Sequence, residues 1–164
     1  MNRFLRFCNS FSIPVLTLCD TPGFENCSCN EMHMTKEMGE LLSAYGNASV
    51  PLVTLVKKAV GSAGACLGSK GLGADLVFAY PESEISVMDA KLAANILYPD
   101  ETLEDREEKA KQFLEEKGSA KSAAYRGYID AIILPEETRQ RVISAFDMLY
   151  GKANFDFHKK YGSI

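Results

Sequence analysis

A chain of 164 residues with 46% hydrophobic content is long enough for one substantial core and too short for two full domains. Its formal net charge of -4 argues against a nucleic-acid surface, which needs Lys and Arg gathered on one face. No stretch approaches the roughly 20 apolar residues of a membrane span, so none is expected.

The segment from Phe4 to Cys19 is fairly apolar and follows Arg3, but Arg6, Asn9, Ser10 and Ser12 interrupt it and no small-residue cleavage site follows. It makes a poor secretory signal. Five cysteines, an odd number in a chain without such a signal, favour reduced thiols and a cytoplasmic protein. Cys8, Cys19 and Cys66 lie in apolar contexts and read as small core residues.

Ile13 to Cys19 is a continuous apolar run that stops at Asp20-Thr21-Pro22-Gly23-Phe24, the pattern of a strand buried on both faces. Open α/β sheets place ligands at the carboxyl ends of their strands, so Gly23 and Phe24 are candidate substrate contacts, with a plain Pro-Gly turn as the competing reading. Cys27, Cys29 and His33 form C-x-C-x-x-x-H, which has soft-ligand chemistry. With no second pair at zinc-finger spacing, they read as incidental groups on an exposed loop, and no metal is expected.

Thr35, Met38, Leu41, Leu42 and Tyr45 have helical spacing, and Gly46-Asn47 supplies a stop. Val50 to Val56 reads as the next strand, and Ser62 to Lys70 as a short helix presenting Ala63, Cys66 and Leu67 on one face. The most informative run of the chain, Val60-Gly61-Ser62-Ala63-Gly64-Ala65-Cys66-Leu67-Gly68-Ser69-Lys70, leads from that strand into this helix. Residues this small let bare amides approach a ligand at a helix start and oppose a developing negative charge, which predicts an oxyanion hole. Close packing of a helix on a sheet would use the same residues.

A third strand is expected over Ala74 to Ala79, then a turn at Pro81-Glu82-Ser83-Glu84 and a short strand from Ile85 to Met88. Helices follow over Ala90 to Tyr98 and over Glu101 to Lys117, the second with Leu103, Ala110, Phe113 and Leu114 as its apolar stripe and with pairs such as Asp105 with Lys109 on a solvated face. Gly127 to Leu134 alternates like a strand. Pro135 then opens a last helix carrying Val142, Phe146 and Leu149, and the tail from Phe155 to Ile164 mixes aromatics with Lys159-Lys160. This βαβ alternation implies α/β architecture with a parallel sheet and flanking helices.

Asp20, Asp75 and Asp89 invite acid/base roles, although an Asp before Thr-Pro-Gly more often accepts turn amides. Lys58 and Lys70 flank the small-residue loop and read as solvated. His33 and His158 are the only histidines, and neither falls near a strand-end nucleophile.

Several blocks then keep a common order: Arg3-Phe4-Leu5-Arg6-Phe7-Cys8 through Pro22-Gly23-Phe24, Ala48-Ser49-Val50-Pro51-Leu52-Val53-Thr54, Lys58-Ala59, and Ser69-Lys70-Gly71-Leu72-Gly73-Ala74-Asp75. Later come Ile85-Ser86-Val87-Met88, Arg126-Gly127-Tyr128-Ile129-Asp130, Thr138-Arg139 and the closing Lys159-Lys160-Tyr161-Gly162-Ser163-Ile164. Together they resemble the carboxyltransferase subunits of biotin-dependent acyl-CoA carboxylases and related decarboxylases, with the likeness covering roughly the last third of a subunit.

The resemblance implies a partial crotonase-type (ββα spiral) fold over residues 1–164, a C-terminal domain lacking its early strands and the upstream N-terminal domain. It implies carboxyl transfer between carboxybiotin and the α-carbon of an acyl-CoA, with the Ser62 and Ala63 amides facing the ureido oxygen, and Gly61, Gly64 and Ala65 beside them as substrate contacts. The implied partners are a biotinyl carrier, a complementary carboxyltransferase half, acyl-CoA and further copies in a homo-oligomer.

The family's second loop glycine is Ser62 here, and its Tyr-Asp pair is Gly64-Ala65. The side chain at that Asp position helps choose the acyl group in the family, and Ala65 offers no polar handle. Glu25 to Lys36 also departs, being Cys-, Asn- and Met-rich. Two other readings remain: a non-catalytic or split-subunit assembly piece, and a stand-alone crotonase-like acyl-CoA hydratase or isomerase.

Overall fold

A computed structural model describes residues 1–25 and 27–152, with the side chains of residues 29–32 excepted. The expectations for the tail from Phe155 to Ile164 and for His158 lie outside the described residues. Four parallel strands, β1 (Val15–Thr21), β2 (Leu52–Val60), β3 (Leu76–Ser86) and β4 (Ala131–Ile132), stand side by side in chain order. Each step between neighbours is a helical crossover, as parallel pairing requires.

One face of the sheet carries most of the helices. Leu5 and Cys8 of α1 (Asn2–Ser10) and Ala44 and Tyr45 of α2 (Ser28–Asn47) pack on Val15 and Leu52. Farther along the same face, Cys19, Val56, Ala59 and Val77 pack against Ala120 and Ala123 of α6 (Ala120–Tyr125) and against Ile129. On the opposite face Val53, Leu55 and Phe78 meet Ala145 of α7 (Thr138–Leu149). That single helix leaves the outer face of β1 open: Leu18 is 68% exposed and Leu16 39%. β1 alternates buried and exposed along its length, so it is covered on one face and not on both as its apolar run suggests.

The initial segment, weighed in the sequence only as a poor secretory signal, is an amphipathic helix, α1. α2 begins at Ser28, so the Cys27 to His33 segment is a helix start and not the loop the sequence suggests. Asp20 pairs with Lys58 directly after Cys19 pairs with Val56, so Lys57 is the extra residue of a β-bulge. That is why Val56 and Ala59, three apart in sequence, sit in one core cluster, and why β2 runs on to Val60.

The turn expected at Pro81-Glu82-Ser83-Glu84 is instead a wide bulge within β3, because Ala79 pairs with Val56 and Glu84 next pairs with Lys58. Ser83 closes it, its buried hydroxyl donating to Val56 O at 2.7 Å and accepting from Tyr80 N at 2.9 Å.

After the short α3 (Gly61–Cys66), Gly68 turns the chain in the left-handed region with φ +66°, and a 3₁₀ turn at Lys70–Leu72 follows. A Cβ at Gly68 would lie 2.8 Å from Thr54 Oγ1. The expected helix to Lys70 therefore stops early. α4 (Ala90–Leu97) and α5 (Leu103–Phe113) form a hairpin, capped by Asp89 and Thr102 respectively, and a π-helical turn at Leu114–Gly118 returns the chain to the sheet. Leu103 is 75% exposed and so does not belong to the apolar stripe. Lys109 lies over the Tyr98 ring at 5.4 Å from its centroid. Most of the strand expected from Gly127 to Leu134 is loop, with two residues pairing as β4.

Candidate functional site

β2 delivers the small-residue loop to the carboxyl end of the sheet. Val60 is still extended, Gly61 turns the chain with φ +66°, and α3 begins there. A side chain at Gly61 would be strained in that conformation, with its Cβ 3.6 Å from Val87 O. The next two residues contribute first-turn amides, which have no acceptor within a helix. Among the described residues no loop or side-chain acceptor meets the Ser62 or Ala63 amide.

The glycine two residues on has a different reason. A Cβ at Gly64 would fall 2.6 Å from Ala59 C and 2.8 Å from its Cα, so α3 rests directly on β2. The loop's composition thus serves both readings: Gly61 makes the turn, and Gly64 lets the helix touch the strand.

A cavity of about 690 Å³ opens beside the loop, between β2, β3 and α3 on one side and the α4–α5 hairpin on the other. Gly61, Ser62, Gly64 and Ala65 line it; Ala63, Gly23 and Phe24 are not among its lining residues. Ala63 is 4% exposed, and Phe24 is 44% exposed. Gly23 (φ +122°) approaches the residue before the loop, where a Cβ would stand 3.8 Å from Val60 O. Its amide donates to Thr21 Oγ1 at 3.3 Å, the local turn bond expected of that segment.

The three aspartates singled out in the sequence all have structural partners. Asp20 receives Lys57 Nζ at 2.8 Å rather than turn amides. Asp75 Oδ2 accepts Leu52 N and Lys152 Nζ, both at 2.8 Å. Asp89 caps α4 by accepting from Lys91 N and Leu92 N. Neither flanking lysine is simply solvated: Lys58 pairs with Glu84 at 2.8 Å, and Lys70 with Asp130 at 2.7 Å. The hydrogen bond to Glu84 is the main reason that the Lys58 ammonium titrates above its usual range.

Cys8, Cys19 and Cys66 are buried, as their apolar contexts suggest. Burial first, and the Asp20 charge second, push the Cys19 thiol up to about 11, and burial also raises Cys66. Both therefore stay protonated at neutral pH and make poor nucleophiles or metal ligands. Cys27 is half-buried and His33 exposed, while the Cys29 side chain lies outside the described residues. Among the described residues no three His, Cys, Asp or Glu side chains gather in a metal-binding group. No helix among them is long and apolar enough to cross a membrane.

Sequence reasoning missed the far wall of the cavity. Ala93, Ile96 and Leu97 of α4, with Phe113 and Lys117, line it from segments read simply as helices, and Arg126 from a block singled out only for the resemblance. The available signal was the Leu92, Ile96, Leu97 spacing, more apolar than a solvated helix needs.

Comparison with known proteins adds a family to this geometry. A carboxyl transferase domain family matches residues 1–164. The chain is 41% identical over 170 residues to the propionyl-CoA carboxylase carboxyltransferase subunit of Haloferax mediterranei, covering 99% of this chain and 33% of that protein. It is 39% identical over 165 residues to the methylmalonyl-CoA decarboxylase subunit alpha of Veillonella parvula, covering 99% of this chain and 32% of the relative. The transcarboxylase 12S structure, a hexamer described with methylmalonyl-coenzyme A and methylmalonic acid bound, superposes with a TM-score of 0.92 at 36% identity. That match covers 98% of this chain and 32% of the other. The chain thus spans about a third of the length of the relatives it matches, and its parallel sheet with flanking helices is part of their crotonase-like fold.

Proposed function

Because the chain belongs to the carboxyl transferase domain family along residues 1–164, we propose that it serves biotin-dependent acyl-CoA carboxylation or decarboxylation. It would move a carboxyl group between carboxybiotin and the α-carbon of an acyl-CoA. The observation that carries this reading is the left-handed turn at Gly61 followed by Ser62, which begins α3 and lines the cavity. Preorganised amides of this kind stabilise an oxygen on which negative charge develops.

Carrier-borne biotin, when bound, supplies the carboxyl group. Toward it this chain offers the Ser62 and Ala63 amides as donors, with Gly61 fixing their direction and Gly64 holding α3 against β2. Gly61, Gly64 and Ala65 border the space where the acyl group lies, and Gly23 and Phe24 extend the site on the β1 side of the loop. Ser62 retains the donor despite replacing a glycine, because an amide at this step needs no positive φ, and Gly61 already makes the turn.

No carboxylate among the described residues lines the cavity, and a hydratase or isomerase needs such a group at the α-carbon. That observation favours carboxyl transfer over the stand-alone crotonase-like reading. The open face of β1, with Leu16 and Leu18, favours action with a complementary carboxyltransferase half in a homo-oligomer, and the buried, reduced thiols suit the cytoplasm.

The test mixes the full chain with carboxybiotin on its carrier, labelled in the carboxyl group, an acyl-CoA and an upstream carboxyltransferase half. Label appearing in the acyl-CoA only when this chain is present supports the proposal. Association without label transfer, in a mixture where a full-length relative is active, reduces the chain to a non-catalytic assembly piece.

A further inference from the structure

Gly61 and α3 stand on a short platform that two bulges set apart from the rest of the sheet. Against β1 the ladder breaks at Lys57 and resumes where Asp20 pairs with Lys58. Against β3 it breaks after Val56 and Ala79 and resumes where Lys58 pairs with Glu84. Lys58 is thus the first residue of β2 to be paired again on both sides, and Val60, paired with Ser86, is the last before the Gly61 turn. Ala59 lies between them, and its backbone would stand 2.6 Å from a Cβ at Gly64, so α3 rests on this platform and not on the longer ladder before the bulges.

Two successive lysines tie the bulged strand to its neighbours. Lys57 reaches Asp20 on β1 at 2.8 Å, in a pair whose side chains are 70% and 53% exposed. Lys58 reaches Glu84 on β3 at 2.8 Å, with side chains 35% and 18% exposed. An open pair of the first kind contributes little, whereas a charge-assisted bond that water reaches less well holds its geometry. Glu84 also forms an antiparallel bridge to Ser119, whose hydroxyl caps α6 by accepting from Ser122 N at 3.2 Å. The tie therefore joins β2 to β3 and to the start of α6. Neither Lys58 nor Glu84 lines the cavity, so an effect of either on chemistry there runs through the backbone.

We propose that Lys58 and Glu84 are positioning residues for the Ser62 and Ala63 amides. Their ion pair fixes the set of the platform, and with it the direction in which Gly61 turns and the two donors point. The inference rests on the carboxyltransferase reading, in which those donors face an oxygen that gains negative charge. Misdirected donors lose stabilisation of that charge and leave ground-state contacts in place, so loss of the pair lowers kcat and spares KM.

The experiment reads the amides and the reaction separately. In the full 164-residue chain, Lys58→Met is expected to move the proton–nitrogen cross-peaks of Ser62 and Ala63, while Lys57→Met, which breaks the exposed pair, leaves them in place. Cross-peaks that stay put in K58M, or that move as far in K57M, overturn the proposal.

In the reconstituted transfer mixture, Lys58→Met is expected to lower kcat about tenfold with KM for the acyl-CoA held within about twofold. Lys58→Arg, which keeps a donor for Glu84, should retain most of kcat. Exchanging the charges, Lys58→Glu with Glu84→Lys, should recover most of what either change loses alone. A rise in KM with kcat unchanged, or an exchanged pair no better than the single variants, overturns the proposal. The two readings fail separately. Cross-peaks that move in K58M when no mixture transfers label support the positioning and remove the carboxyltransferase reading. Equal transfer by K58M and by the unaltered chain removes the positioning alone.

Discussion

Asp130 and Val77 exchange two hydrogen bonds: the Asp130 amide donates to Val77 O at 2.8 Å, and Val77 N donates to Asp130 Oδ2 at 2.8 Å. Lys70 Nζ then reaches both carboxylate oxygens, at 2.7 and 2.8 Å. The same arrangement stands one strand earlier, where Asp75 N donates to Leu52 O, Leu52 N donates to Asp75 Oδ2, and Lys152 supplies the ammonium. Two successive parallel strands are therefore started by an aspartate from the chain that follows, at the end of the sheet away from the small-residue loop.

Replacing Asp75 by Ala leaves the Leu52 amide and the Lys152 ammonium without their shared acceptor in a half-buried setting. The expected loss is about 1–3 kcal/mol of stability, read from urea unfolding midpoints. Asp75→Asn, which keeps an acceptor for the amide, should lose less. Equal losses would mean that the ion pair, and not the backbone bond, is what matters.

Gly64→Ala adds a methyl where Ala59 backbone atoms stand 2.6 and 2.8 Å away. Since those atoms belong to a central strand, α3 must lift, at about 1–3 kcal/mol by thermal unfolding. Because α3 carries Ser62, the carboxyl transfer proposed for this chain should fall more steeply than stability does. Gly71→Ala, where the new Cβ meets only Ser69 Oγ at 4.0 Å, is the matched control.

Cys19 titrates near 11 instead of its ordinary 9.0, because burial and the Asp20 charge disfavour the thiolate. The folded chain therefore holds this proton more tightly than the unfolded chain. The associated stability is complete below pH 9 and is lost as pH rises toward 11. Tyr45, raised chiefly by burial, acts in the same direction. Urea midpoints should fall between pH 9 and 11, and Cys19→Ala should flatten part of that fall. In the native chain at pH 8, iodoacetamide should label half-buried Cys27 well before Cys19.

Asp89 accepts from Lys91 N and Leu92 N at 2.9 and 3.2 Å, anchoring the start of the helix that forms the cavity's far wall. Asp89→Ala should destabilise by about 1 kcal/mol in thermal unfolding. Increased amide exchange confined to residues 90–97 would locate the effect. Asp89→Ser should restore protection, since serine caps nearly as well.

The α/β class and the run of strand, helix, strand and small-residue loop were legible because buried parallel strands and glycine-rich turns leave local marks. Gly61 and Gly64 could be read as a pair, but not apart: nothing in the sequence tells a glycine needed for φ +66° from one needed against Ala59. The bulges were hidden for another reason. Lys57 looks like the exit from a strand, and Pro81-Glu82-Ser83-Glu84 looks like a turn; only cross-strand pairing shows that both are excursions within longer strands. The aspartates misled because a carboxylate capping a strand and a carboxylate poised for proton transfer are the same residue in sequence. Tertiary partners from residues as distant as Lys152 decide between them.

β1 is the outermost strand, and its side away from β2 has no ladder partner among the described residues. An open edge beside a face that exposes Leu16 and Leu18 is a template on which another extended backbone can add. For a purified sample this makes concentration and ageing greater hazards than warmth: material stored dense should turn cloudy and gain thioflavin fluorescence, while dilute samples stay clear. Lysine in place of Leu18, standing in water already, should lengthen shelf life without altering the melt.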